Sequence, residues 1–250
     1  MTISRKAYPS WFRRFKQWRP QPLFSWPTQC HVCATWCHDI LCDSCALQHQ
    51  PHDPACRACA LDSLQPICAN CLSSPPIWQA CASAVSYVEP WRSLIIGFKF
   101  NEQAGLAAFF AKLMLANDHL QALVSTSTHL IPVPLSAKRL RQRGFNQASL
   151  LARHLARHKC IDQGLLRVTE TASQASLSRE KRQANLTHAF AVHPAHRPHF
   201  IGKHLTLVDD VMTTGSTLHA CALALLQAGA TKVDCVTLAR AQSVPHADSL

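Results

Sequence analysis

Residues 208–217, Val208-Asp209-Asp210-Val211-Met212-Thr213-Thr214-Gly215-Ser216-Thr217, join an apolar strand pattern to an apolar helix pattern. Leu205–Val208 reads as the strand and Ser216–Gln227 as the helix, with Gly229 marking the helix C-terminus. Two adjacent carboxylates end the strand, and a turn of small residues opens the helix. Such a turn exposes backbone N–H groups to an anion, while Thr213, Thr214, Ser216 and Thr217 add hydroxyl donors. Gly215 permits a close approach or a backbone conformation that a side chain would obstruct. The dipole of the helix start favours negative charge. A phosphate held there leaves Asp209 and Asp210 placed for the hydroxyls of a sugar or for a hydrated Mg2+. The G-x-x-x-x-G-K-[ST] order of a P-loop is absent. Taken alone, these residues also suit an ordinary capped and solvated helix start.

A second strand end strengthens the anion reading. Thr128–Val133 is a short strand candidate, and Leu130-Ile131-Pro132-Val133-Pro134-Leu135-Ser136 runs into Lys138, Arg139, Arg141 and Arg143, then Gly144-Phe145-Asn146-Gln147. We read this stretch as a concentrated basic loop. Arginine forks suit the oxygens of a pyrophosphate and equally a nucleic-acid backbone. Outward from these two loops, Ala82–Tyr87 begins a strand and Val233–Leu238 forms another. Asn101–Ala116 reads as a helix with Leu106, Phe109, Phe110 and Leu113 on its apolar side, and Asn146–Arg157 as a helix bearing Leu150, Leu151 and Leu155. Strands alternating with helices imply an α/β fold with a mostly parallel sheet flanked by helices.

The first third of the chain differs in kind. Cys30-x-x-Cys33 and Cys42-x-x-Cys45 are followed by Cys56-x-x-Cys59 and Cys68-x-x-Cys71, each position of the second unit displaced by 26 residues from the first. A C-x-x-C turn points two thiolates at one ion, and two such turns complete the tetrahedron of Zn2+. Units this small build little apolar core, so bound metal would supply folding free energy directly. The expected architecture is a double zinc ribbon with two structural sites. Iron–sulfur clusters use similar thiolates, and spacing alone does not separate the two. Cys37 and Cys81 lie outside the pattern and read as small packed residues, with the chemistry to replace a neighbouring ligand. The boundaries expected are a basic tail at residues 1–25, the ribbons at 26–76, the α/β domain at 82–240 and a loose tail at 241–250.

Composition limits the remaining classes. The chain has 250 residues, 48% of them hydrophobic, 13 cysteines and a formal charge of +11. Ten cysteines fall between Cys30 and Cys81, an uneven distribution for a disulfide-stapled secreted protein. The first twenty residues are basic and aromatic, without the apolar stretch of a signal peptide. No run approaches the roughly 18 apolar residues of a membrane span. A cytoplasmic location is expected. Eight thiolates holding two divalent ions lower the charge to about +7, which still favours anionic partners.

The ordered set of motifs resembles the ComF family of competence-related proteins, within the type I phosphoribosyltransferase superfamily. The resemblance covers nearly the whole chain from about Cys30. It rests on the double C-x-x-C repeat, the I-P-V-P-L-S…R-x-R-x-R-G-F-N-Q segment at 131–147, Gln174, Leu177, Arg182, Asn185 and Phe190, and V-D-D-V-M-T-T-G-S-T at 208–217. It implies that Asp209 and Asp210 engage ribose hydroxyls directly or through metal-bound water. Thr213, Thr214, Gly215, Ser216 and Thr217 would cradle a 5′-phosphate, and Ser136, Arg139, Arg141 and Arg143 would lie near pyrophosphate or nucleic acid. The implied ligand is phosphoribosyl pyrophosphate with Mg2+, and the implied partners are single-stranded DNA and a competence helicase or other DNA-processing protein. The implied role is handling internalised single-stranded DNA during natural transformation. Two other roles fit the same motifs: an active phosphoribosyltransferase of unknown acceptor, and a zinc-dependent interaction protein with a vestigial pocket. No residue identifies itself as a general base. Trp78, Trp91 and Phe145 have the chemistry to stack on bases, although packing is the plainer expectation for each.

Overall fold

The computed structural model describes residues 27–49, 54–100, 103–168 and 189–242. The expected N-terminal tail and the family-specific residues Gln174, Leu177, Arg182 and Asn185 lie outside these ranges, as does most of the expected C-terminal tail.

The centre is a four-stranded sheet built from β3 (Cys81–Ser86), β4 (His129–Pro132), β7 (His204–Met212) and β8 (Lys232–Arg240). The spatial order is β3-β8-β7-β4, and each neighbouring pair is parallel. Register pairs Cys81 with Cys235, Val208 with Val236 and Pro132 with Val208. Parallel strands need covered faces, and both are covered. One face carries Ala82, Ala84, Leu130, Val208, Val236 and Leu238 in a contiguous apolar cluster. The other carries Cys81, Ile131, Leu205, Leu207, Val233 and Cys235.

Helices α3 (Trp91–Phe100), α4 (Leu106–Ala116), α5 (Asp118–Thr126) and α7 (Gln147–Ala156) supply the first cluster. The four apolar residues expected on α4 are all buried, although the helix begins at Leu106 rather than Asn101. Asn117 ends α4 and caps α5, its side chain accepting from Leu120 N at 2.9 Å. Helix α8 (Ser216–Gln227) covers the opposite face through Leu218, Cys221, Ala222 and Leu225. A small antiparallel pair, β5 (Leu165–Arg167) with β6 (Phe190–Val192), lies on that side.

The structure revises one element outright. Residues 137–143, read as a basic loop, form helix α6 (Ala137–Arg143). Ser136 caps it by accepting from Arg139 N at 3.3 Å, and Gly144 ends it at φ 75°. Strand β7 also runs past Val208, so Asp209 and Asp210 belong to its last turns of pleat rather than to the loop beyond.

The cysteine-rich segment contributes β1 (Thr28–Gln29), β2 (Trp36–Cys37), α1 (Asp43–Gln48) and α2 (Ala69–Ser73). It packs on both faces of the sheet. Cys30, Leu41, Cys45 and Ala46 join the α3–α4 cluster, while Cys56, Ala58, Cys59 and Cys71 join the α8 cluster. Among the described residues, no helix is long and apolar enough to cross a membrane.

Candidate metal centres and anion site

The eight predicted thiols converge as two sets. The ligand atoms of Cys30, Cys33, Cys42 and Cys45 lie within 4.8 Å of one another, and so do those of Cys56, Cys59, Cys68 and Cys71. Backbone N–H groups point at the sulfurs: Cys42 N donates to Cys30 Sγ at 3.3 Å, and Cys68 N to Cys56 Sγ at 3.2 Å. Hydrogen bonds from Thr35, first from its side chain and then from its backbone, bring the exposed Cys33 thiol down to about 6. Burial pushes Cys56 upward, but backbone donors at Cys68, Ala58 and Cys59 outweigh it and leave the thiol at about 7. Burial pushes the Cys45, Cys59 and Cys71 thiols upward, so each set combines lowered and raised thiols, and a shared cation would draw off the remaining protons. Both clusters are therefore consistent with structural zinc sites. Cys37 and Cys81 stand apart as expected: Cys37 Sγ donates to Asp39 O at 2.9 Å, and the buried Cys81 contacts Met212 Sδ at 3.8 Å.

The second site forms where β7 ends. Asp209 Oδ1 accepts from Asp210 N at 2.8 Å, a bond that opposes the stronger effects of burial and the Asp210 charge. The balance pushes the Asp209 carboxyl up to about 7. Asp210 forms an ion pair with Lys99 Nζ at 3.1 Å, both side chains largely enclosed. After the carboxylates, Thr213 and Thr214 are exposed and the chain turns at Gly215 with φ 79°. A side chain at Gly215 would place its Cβ 2.8 Å from the flexible end of Met212 and 3.2 Å from Trp78 Cη2, so the backbone angle favours glycine and a Cβ would press on the Trp78 ring. Thr214 Oγ1 and Ser216 Oγ lie 2.9 Å apart, and α8 begins without a side-chain cap. Ser216 N donates to Thr214 Oγ1 at 3.4 Å, while no side chain at the N-cap takes the N–H groups that follow, which leaves that part of the helix start open to an anion.

Helix geometry divides the predicted arginines. Arg139 and Arg143, four residues apart, share one face of α6, whereas Arg141 lies on another. Arg143 is half-buried; burial draws its guanidinium down while the charge of Asp210 raises it. It donates to Gln147 Oε1 at 3.0 Å and lies 4.8 Å from the centre of the Phe100 ring. Arg139 and Arg141 are exposed, and Ser136 is committed to capping. The basic and acidic strand ends thus meet, with Lys99 and Phe100 of α3 between them. Lys99 was missed from the sequence because α3 was not anticipated; its only local signal is a lysine closing an apolar helix, common at helix C-termini.

A cleft of about 680 Å³ borders the other side of α6, lined by Pro134, Leu140, Phe145, Ser149, Leu165 and Arg167 among others. The three aromatic residues with base-stacking chemistry are packed, which was the plainer expectation for each. Trp78 and Trp91 are buried, and Phe145 lies 6.0 Å from Phe98.

Comparison with known proteins bears on this geometry. Residues 140–248 match the phosphoribosyl transferase domain family. The chain is 36% identical over 220 residues to the DNA utilization protein YhgH of Salmonella typhimurium, covering 84% of this chain and 95% of that protein. Identity to competence protein F of Haemophilus influenzae is 34% over 213 residues, covering 80% and 90% respectively. Competence protein ComFC of Bacillus subtilis is 30% identical over 159 residues, 63% of each chain.

Proposed function

The chain belongs to the ComF/YhgH family, with a phosphoribosyltransferase-like domain and two four-cysteine clusters, and from that premise we propose that it handles internalised single-stranded DNA in the cytoplasm through a retained phosphoribosyl pyrophosphate-type site. The observation that carries this reading is the convergence of Asp209 and Asp210, the uncapped start of α8 and the cations Lys99 and Arg143 at one sheet end. In the proposed complex the 213–217 turn holds the 5′-phosphate, the carboxylates hold ribose hydroxyls or a hydrated Mg2+, and Arg139 with Arg143 faces pyrophosphate. The exposed Lys138 and Arg141 then remain for a nucleic-acid backbone, which charge attracts without sequence preference. Relatives named for competence and DNA utilization support the biological side of the proposal, and a helicase or other DNA-processing protein is the partner it implies.

A second reading, transfer of the phosphoribosyl group to an unidentified acceptor, is favoured by the cleft beside α6, which is large enough for a small molecule. Placement and electrostatics would dominate such a step, because pyrophosphate departs as positive charge develops on the ribose.

Two titrations test the assignment. Phosphoribosyl pyrophosphate with Mg2+ is expected to bind the wild type and to lose at least tenfold in affinity in the Asp209→Asn/Asp210→Asn double variant. Single-stranded DNA binding is expected to weaken with salt, and Lys138→Ala/Arg141→Ala to reduce the salt slope by about one to two. DNA binding indifferent to salt and to these charges would sink the nucleic-acid half of the proposal. Pyrophosphate release over a panel of acceptors decides the second reading.

A further inference from the structure

The Cys56-x-x-Cys59 knuckle spends each of its carbonyls on a defined donor. Cys56 O accepts from Ala60 N at 2.8 Å within the knuckle itself. The next three reach outward: Arg57 O accepts from Cys81 N at 2.7 Å, Ala58 O from Trp78 Nε1 at 2.6 Å, and Cys59 O from Arg240 Nε at 2.8 Å. All three donors adjoin the anion-binding turn. Cys81 touches Met212 through sulfur. The Trp78 ring occupies the space into which a Gly215 side chain would point. Arg240, the last residue of β8, also donates through Nη1 to Met212 O at 3.0 Å, to Thr213 O, and to Ala241 O at 2.8 Å.

Arg240 is only 6% exposed, and a buried guanidinium is retained at a cost unless its donors are satisfied. Here the planar fork spans two pieces of backbone that share no sequence proximity: a metal-ligand residue at 59 and the turn at 212–213. Its geometry is rigid, so displacement of either piece strands carbonyls of the other. Trp78 makes a second, independent link between the same two pieces.

We propose that the second cysteine cluster positions the anion-binding turn, with Arg240 and Trp78 as the positioning residues that carry the geometry of the Cys56–Cys59 knuckle to Met212–Gly215. For ligand affinity this rests on the reading of that turn as a phosphate site; for the geometry of the turn it does not. The first cluster, packed through Leu41, Cys45 and Ala46 on the opposite face of the sheet, is not part of this linkage.

The full-length zinc-loaded protein tests the proposal. Cys68→Ser and Cys42→Ser alter equivalent positions of the two repeats, and metal analysis establishes that each loses one ion. Hydrogen exchange across residues 208–217 is expected to be at least fivefold faster in Cys68→Ser than in Cys42→Ser. Arg240→Lys and Trp78→Phe, with both ions retained, should accelerate exchange in the same residues. They should also weaken binding of phosphoribosyl pyrophosphate with Mg2+ several-fold. Equal exchange in the two cysteine variants, or unchanged exchange in both Arg240→Lys and Trp78→Phe, overturns the linkage. If Cys68→Ser does not fold, the Arg240 and Trp78 variants decide alone. A wild-type protein that fails to bind phosphoribosyl pyrophosphate removes the phosphate reading but leaves the exchange comparison intact.

Discussion

The two cysteine clusters repeat the same spacing and serve opposite faces of one sheet. The first enters the apolar cluster shared with α3, the helix that ends in Lys99 and Phe100. The second lies under α8 and bonds through three successive carbonyls to residues around the 212–215 turn. On the proposed reading, one face brings the charge of Lys99 to the site and the other gives the turn its shape. Identical local motifs acquired different tasks because their tertiary partners differ. A repeat in sequence specifies the knuckle; it does not specify what the knuckle supports.

The largest effect is expected from removing both metals with a chelator under reducing conditions. Structural zinc contributes on the order of 10 kcal/mol in small sites, and both clusters share core with the sheet. A cooperative fall in melting temperature of more than about 10 °C by circular dichroism is the expected outcome. Melting of the ribbons with the sheet undisturbed would break the claim that each face is welded to its cluster. Next in size, Arg240→Gln should cost about 2–4 kcal/mol in urea unfolding, since it strands buried carbonyls at Cys59 and Met212. Leu41→Ala, a cavity on the first cluster's side, should cost about the same without accelerating exchange in the turn. That contrast sharpens shape against mere stability.

A smaller effect, about 1–3 kcal/mol, is expected for Gly215→Ala, from its positive φ and from contact with Met212 and Trp78. Paired Gly215→Ala/Trp78→Phe should recover part of that loss if the ring is the obstacle. The pH dependence probes the charge side. Burial, then the Asp210 charge, raises Asp209 from 3.8 to about 7 against the pull of Lys99 and Arg143. The folded state thus binds this proton more tightly than the unfolded state. The associated stabilisation is full below about 4 and is lost as pH rises through about 7. Binding of a sugar or metal by the carboxylate runs the other way, gaining up to about tenfold between pH 6 and 8. Asp209→Asn should remove that gain, measured by calorimetry alongside wild type.

Much of this was legible in residue order, for identifiable reasons. The cysteine spacing dictates convergence of eight sulfurs because a C-x-x-C turn has few geometries. The Asp209–Thr217 stretch announces its turn through small residues between two apolar periods. Residues 137–143 were misread because charged side chains suggested a loop, although Ser136 and Gly144 are helix-cap residues on either side. Lys99 carries only the weak signal of a lysine closing an apolar helix, and Arg240 carries none. Each acts on residues distant in sequence, and only the β3-β8-β7-β4 order brings β8's last residue beside the end of β7. Likewise, Trp78 read as a packing residue because nothing local shows that its ring abuts a glycine well over a hundred positions away.

The strand order has a consequence for synthesis. The two central strands are the last two made, while β3 and β4, their outer neighbours, leave the ribosome first. Among the described residues, β3 and β4 gain their partners in this sheet, and α4 and α7 their floor, only when residues 204–240 emerge. At about 5–20 residues per second, that interval lasts several seconds or more. The eight cysteines of the two clusters, by contrast, are all made by residue 71, before any strand of this sheet. Zinc held by these clusters would give the nascent chain an ordered head before its sheet can form, and maturation would then depend on metal supply during translation.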